Sequence, residues 1–175
     1  MLAYLFVLLA VAVRFMPHPW HFTPVAASLL FFGAYRSRRE LWVPVALLAA
    51  SDVLLNRFVY HYPFTWDLVL TWAWYAAALG LGSGLRGRIK PLWIMGSAAT
   101  ASVSFYLLSN FAVWAAYDMY PKTLSGLMTC YAMAIPFFRG TLVGDLVFAA
   151  VLFAVPVAIS QFTERDAHGR GTAAA

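Results

Sequence analysis

Apolar residues fill this chain in long runs broken by short polar clusters, and the runs lack the polar back face of a soluble amphipathic helix. The first run, residues 2–15, ends at Met16-Pro17-His18-Pro19-Trp20-His21, where two prolines break a helix and the rings suit a membrane interface. It resembles a signal peptide but lacks a basic leading region, so it is read as a retained helix. A second helix starts near Thr23-Pro24 and covers 26–35. Arg36-Ser37-Arg38-Arg39-Glu40 then separates it from a third at 41–57, and the loop 59–66 leads to a fourth at 67–85, with Asp67 as its N-cap. After Arg86-Gly87-Arg88-Ile89-Lys90 comes a fifth helix, 91–116. A sixth is expected at 141–162, followed by a polar tail, 163–175, expected to be disordered and cytoplasmic.

Residues 124–138 fit this pattern poorly. Fifteen uncharged residues are too few for a comfortable crossing and too apolar for a loop, so a re-entrant segment folded as a lid over the outer mouth is expected, bent at Pro121 and Pro136. A full crossing there would make seven spans.

Composition sharpens the solvent. The chain is 63% hydrophobic and 11% charged, against roughly half and a quarter for a soluble domain, so lipid is its medium. The expected fold is all-α: a single transmembrane domain, 1–162, of about six helices. Eight of the twelve Lys and Arg residues lie in the two basic clusters and the tail. The positive-inside rule places those segments, and both termini, in the cytoplasm. The net charge of +5 needs no nucleic acid to explain it. A single cysteine, Cys130, excludes an intrachain disulfide and a multi-cysteine metal site.

Ionisable groups at membrane depth mark candidate chemistry. Asp52 and Asn56 lie one turn apart on the third helix, with Arg57 next; they form either a ligand site or a polar pin between helices. Asp145, one turn into the expected sixth helix, complements a helix amino end and would pair with Arg139, a structural role. Tyr106, Asn110 and Trp114 share one face of the fifth helix. Lys122 and Arg139 flank the expected lid and would attract an anionic ligand, with Tyr131 within it. His18 and His21 stand three apart without a third ligand, so no metal is expected. No zinc-protease, nucleophile-elbow or phosphate-loop motif occurs, which points away from an enzyme or a cofactor and toward binding of a small-molecule substrate.

Several strings together carry a resemblance: His21-Phe22-Thr23-Pro24-Val25-Ala26-Ala27, Ser51-Asp52, Ser109-Asn110-Phe111-Ala112-Val113-Trp114, Tyr120-Pro121-Lys122-Thr123, Cys130-Tyr131, Pro136-Phe137-Phe138 and Gly144-Asp145. The chain resembles a family of bacterial six-helix transport proteins that look like the substrate-binding S components of energy-coupling-factor transporters. His21 stands where asparagine is expected in that family. The resemblance implies a protein of the bacterial inner membrane that captures a vitamin-like micronutrient and works with a coupling membrane subunit and ATPases. The candidate substrate contacts are therefore His21, Asp52, Asn56, Tyr106, Asn110, Trp114, Lys122, Tyr131 and Arg139. Small residues at helical spacing, Ala46 and Ala50 or Ala150 and Ala154, would let a coupling helix approach. The alternatives are a membrane enzyme built on Asp52 or Asp145 with a histidine, and a structural subunit without a pocket.

Overall fold

The computed structural model describes residues 1–16, 23–61 and 64–173, with side chains as far as Gln161. Among them are six α-helices and no strand. These are α1 (Leu2–Arg14), α2 (Val25–Tyr35), α3 (Trp42–Leu54), α4 (Asp67–Ser83), α5 (Pro91–Ala116) and α6 (Leu124–Ala173). A 3₁₀ turn, Arg38–Glu40, precedes α3, and a π-helical stretch, Leu55–Tyr60, prolongs it. Three helical segments are long and apolar enough to cross a membrane: Arg38–Tyr60, Pro91–Ala116 and Leu124–Gln161. The fold is an all-α membrane helix bundle, as the hydrophobic pattern requires.

At its centre lies α2, with Leu29, Leu30, Phe31 and Phe32 all essentially inaccessible. An element that is apolar all round must be enclosed on every side. Here α1, α4, α5 and α6 enclose it. Phe31 meets Phe6 of α1 and Phe153 of α6 edge to face, at centroid distances of 4.9 and 5.2 Å. Two glycines set the closest approach, between α2 and α4. A Cβ on Gly33 would stand 2.3 Å from the Leu79 carbonyl oxygen, and one on Gly82 would stand 2.4 Å from that of Leu30. Only glycine lets these backbones touch.

The helices alternate in direction, and the two basic clusters meet at one end. Tyr4 donates to Glu40, Arg36 Nε donates to the same carboxylate at 2.8 Å, and Arg86 Nε donates to the Gly33 carbonyl at 3.0 Å. The opposite end holds the start of α4 and the junction of α5 with α6. There Tyr117 donates to Asp67 at 3.3 Å. Asp67 is the first residue of α4, not its N-cap; Trp66 occupies that position.

Residues 124–138 do not form a separate lid. They are the first four turns of α6, which runs on through Pro136 and Pro156 without a break. Each proline removes one backbone donor, a loss that a membrane helix tolerates because neighbouring groups satisfy the freed carbonyl. Tyr131 lies against Tyr106, with ring centroids 5.5 Å apart, and fastens this stretch to α5. The described residues therefore form six α-helices rather than seven. The backbone of α6 also continues to Ala173, through the segment expected to be a disordered tail.

Candidate functional site

The last residue of α1, Arg14, ends an otherwise apolar helix beneath the bundle surface. A guanidinium there needs a counter-charge, because an isolated buried ion costs several kcal/mol. It pairs with Asp52 of α3 and donates to Ser51 Oγ at 2.8 Å. Asp52 is 5% exposed and takes further donors from α4: Trp72 Nε1 at 3.0 Å and the Tyr75 hydroxyl at 3.1 Å, both on Oδ2. Both carboxylate oxygens are thus engaged, and α1, α3 and α4 are tied at one point. Asp52 pins these three helices together and holds Arg14 in place.

Arg14 itself faces a cavity of about 230 Å³, together with Thr23, Val25 and Ala26 at the start of α2, Trp74 and Tyr75 of α4, Phe105 of α5, and Thr141 and Asp145 of α6. A second cavity of about 330 Å³ lies between α5 and α6, lined by Ser102, Tyr106, Ser109, Asn110, Ala134, Phe137 and Phe138. Phe105 and Thr141 border both, so the two are neighbours divided by one ring and one hydroxyl. Asp145, 4% exposed, sits at this divide and accepts a hydrogen bond from Ser102, which faces the second cavity. Among the described residues, no Lys or Arg pairs with Asp145.

Helix length explains why space opens here. With 13 and 11 residues, α1 and α2 reach only about 20 and 17 Å. The 26 residues of α5 reach about 39 Å, more than the roughly 30 Å of a hydrocarbon core. The end of α1 and the start of α2 therefore lie within the bundle, beside longer neighbours, and both border the first cavity.

The residues singled out from sequence separate into three groups. Tyr106 and Asn110 line the second cavity; Asn110 Nδ2 donates to the Tyr106 carbonyl at 2.8 Å, and the Tyr106 hydroxyl donates to that of Tyr131 at 2.7 Å. Trp114, Lys122, Tyr131, Arg139 and Asn56 border neither cavity. Lys122 caps α5, donating to the carbonyls of Trp114 and Tyr117, while Trp114 Nε1 donates to the Pro121 carbonyl at 2.9 Å. The Tyr131 hydroxyl donates to the Leu107 carbonyl at 2.8 Å, and Asn56 is half-buried in the π-helical stretch. Arg139 is exposed and does not pair with Asp145; Ser102 takes that place. Lys122 and Arg139 thus do not flank a cavity mouth. Ala46 and Ala50 are exposed on α3, while Ala150 and Ala154, also exposed, line a groove of about 510 Å³ between α5 and α6 with Ile94 and Phe153. His18 and His21 lie outside the described residues.

Sequence reasoning passes over Arg14, Ser102 and Thr141, and reads Trp72 and Tyr75 only as aromatic rings of a belt or stacking pocket. Only Arg14 carries a signal strong enough to find it: a cation closing an apolar helix demands an anion, and few carboxylates lie at membrane depth. The others are common residues in helices rich in their kind.

Among the described residues, no cluster of His, Cys, Asp or Glu is arranged to hold a metal ion. No curated protein and no solved structure matches the chain. The sequence profile of a family of unknown function, DUF6580, matches residues 1–166, nearly the full length, and the chain belongs to that family.

Proposed function

We propose that this protein binds a small solute within its helix bundle and takes part in the uptake of that solute across the membrane. The observation that carries the reading is the pair of adjoining cavities with Arg14 and Asp145 on the wall of the first. A bundle serving only as scaffold gains nothing from charged groups facing empty space, since each costs free energy that packing would recover. A mostly apolar pocket with a few convergent polar groups is the usual form of a ligand site.

In this reading the solute is a vitamin-like micronutrient, and the protein acts in the bacterial inner membrane in the manner of an energy-coupling-factor S component. The family match carries no such link; the resemblance in sequence motifs and the cavities support it. Ligand contacts fall to Arg14, Tyr75, Asp145, Tyr106 and Asn110. Both termini and the basic end face the cytoplasm. The exposed alanines of α3, and the groove that Ala150 and Ala154 line on α6, offer small-residue surfaces to a coupling membrane subunit with its ATPases.

The test is native mass spectrometry of the full chain released from detergent, with metabolite extraction of the same sample. The expected result is a co-purifying solute, recovered chemically unchanged, whose occupancy falls about tenfold in Thr141→Trp, which fills the divide between the cavities. A preparation with no bound solute, from cells whose metabolite uptake is the same with and without the protein, would overturn the proposal.

A further inference from the structure

Around the first cavity one buried carboxylate has a cationic partner and the other, among the described residues, has none. Arg14 is positive, but its charge is committed to Asp52, which also holds the donors from Trp72 and Tyr75. That leaves Asp145, which lines the same cavity, is 4% exposed, and accepts one hydrogen bond, from Ser102 to Oδ2. No donor among the described residues reaches its second oxygen, and none of the ion pairs includes it. Trp74, Tyr75 and Phe105 supply aromatic surface to the walls. A ring face attracts a cation and repels an anion, and a carboxylate in a low-dielectric site does so more strongly.

Resting on the binding role proposed above, we infer that the cavity between Arg14 and Asp145 selects a ligand that carries a protonated amine, held by the Asp145 carboxylate against Trp74, Tyr75 and Phe105. A cation there completes the charge of the site and adds donors for the open oxygen. An acidic group would meet Asp145 with no uncommitted cation in the cavity to offset it. This reverses the preference for an anion that Lys122 and Arg139 suggest in the sequence, since neither reaches a cavity. A volume of about 230 Å³ admits one ring with a short amine arm. The neighbouring cavity, beyond Phe105 and Thr141, accommodates any extension.

Three probes of one shape separate the possibilities: benzylammonium, benzyl alcohol and benzoate, titrated against the full chain in lipid nanodiscs by saturation-transfer NMR, with empty nanodiscs subtracted. Benzylammonium should bind about tenfold more tightly than benzyl alcohol, with benzoate weakest. Asp145→Asn, which keeps the shape and an acceptor for Ser102, should bring benzylammonium down to the level of the alcohol. Equal binding of the alcohol and the ammonium to the native chain would overturn the amine preference while leaving a binding cavity, and this comparison decides even if the variant fails to fold. Retention of the preference in folded Asp145→Asn would overturn the role of Asp145. Binding of none of the three would count against the cavity as a ligand site, and the amine preference would fall with it.

Discussion

Asp52 and Asp145 are both carboxylates buried at membrane depth, yet they do different work because their partners differ. Asp52 receives Arg14, Trp72 and Tyr75, so its charge is matched and its geometry fixed. Removing one member of such a pair costs more than removing both, since the survivor is left as an unpaired ion. Asp52→Leu should therefore destabilise the bundle by about 3 to 5 kcal/mol, while Arg14→Met combined with Asp52→Leu should cost less than Asp52→Leu alone. Thermal unfolding in detergent, followed by helical circular dichroism, checks both; strictly additive losses would mean that the two side chains are not coupled. The importance of Asp52 and Asp145 is legible in the sequence, because charges in apolar helices stand out. Their partners are less so. Arg14 reaches Asp52 across 38 positions, and Ser102 reaches Asp145 across 43. Nothing local specifies which of many serines closes on an aspartate.

At the scale of elements, the tightest seam runs between α2 and α4, where Gly33 and Gly82 replace side chains with backbone contact. Gly33→Ala and Gly82→Ala should each cost about 1 to 3 kcal/mol, because a new methyl group would have to displace a packed carbonyl. Gly80 lies on the same helix as Gly82 with open space where its Cβ would stand. Gly80→Ala should be neutral or stabilising by up to about 1 kcal/mol, from the helix propensity gained. The same unfolding measurement on the three variants checks this, and a loss in Gly80→Ala equal to the others would remove the packing argument. Helix positions in the first five elements follow from the hydrophobic runs, whereas the expected caps do not form: Pro24 and Trp66, not Thr23 and Asp67, hold the N-cap positions of α2 and α4. The sixth does not, since Pro136 and Arg139 read as a break in sequence, whereas α6 passes through both. The reason is the medium: in lipid, a helix that stopped there would leave carbonyls and amides unsatisfied, which costs more than one missing bond at proline. The lid expected at 124–138 disappears for that reason, and with it the placement of Lys122 and Tyr131 beside a ligand.

Across the whole molecule, charge is polarised along the bundle axis. Both basic clusters gather at one end, through Tyr4, Glu40, Arg36 and Arg86, and Met1 lies at that end because Tyr4 does. At the same end α6 reaches Tyr35, where Phe153 stacks at 6.0 Å. The start of α1 and the later part of α6 therefore share one side of the bundle. In the proposed topology, positive-inside insertion would make that side cytoplasmic and leave Asp118, Met119 and the α5 to α6 junction outside. The direction matters to the proposed function: α1 and α2 extend from the basic end and stop short, so the first cavity, at their far ends, would then lie nearer the outer face, where a solute awaiting uptake would arrive. Single-cysteine variants in a Cys130→Ala background test it, because Cys130 is buried and its removal disturbs little of the surface. Ser37→Cys at the basic end and Met119→Cys at the other are both at exposed positions. In intact cells a membrane-impermeant maleimide should label Met119→Cys and spare Ser37→Cys until the cells are broken. Labelling of Ser37→Cys from outside would invert the bundle and turn its cavities toward the cytoplasm, where capture of an external solute would no longer account for them.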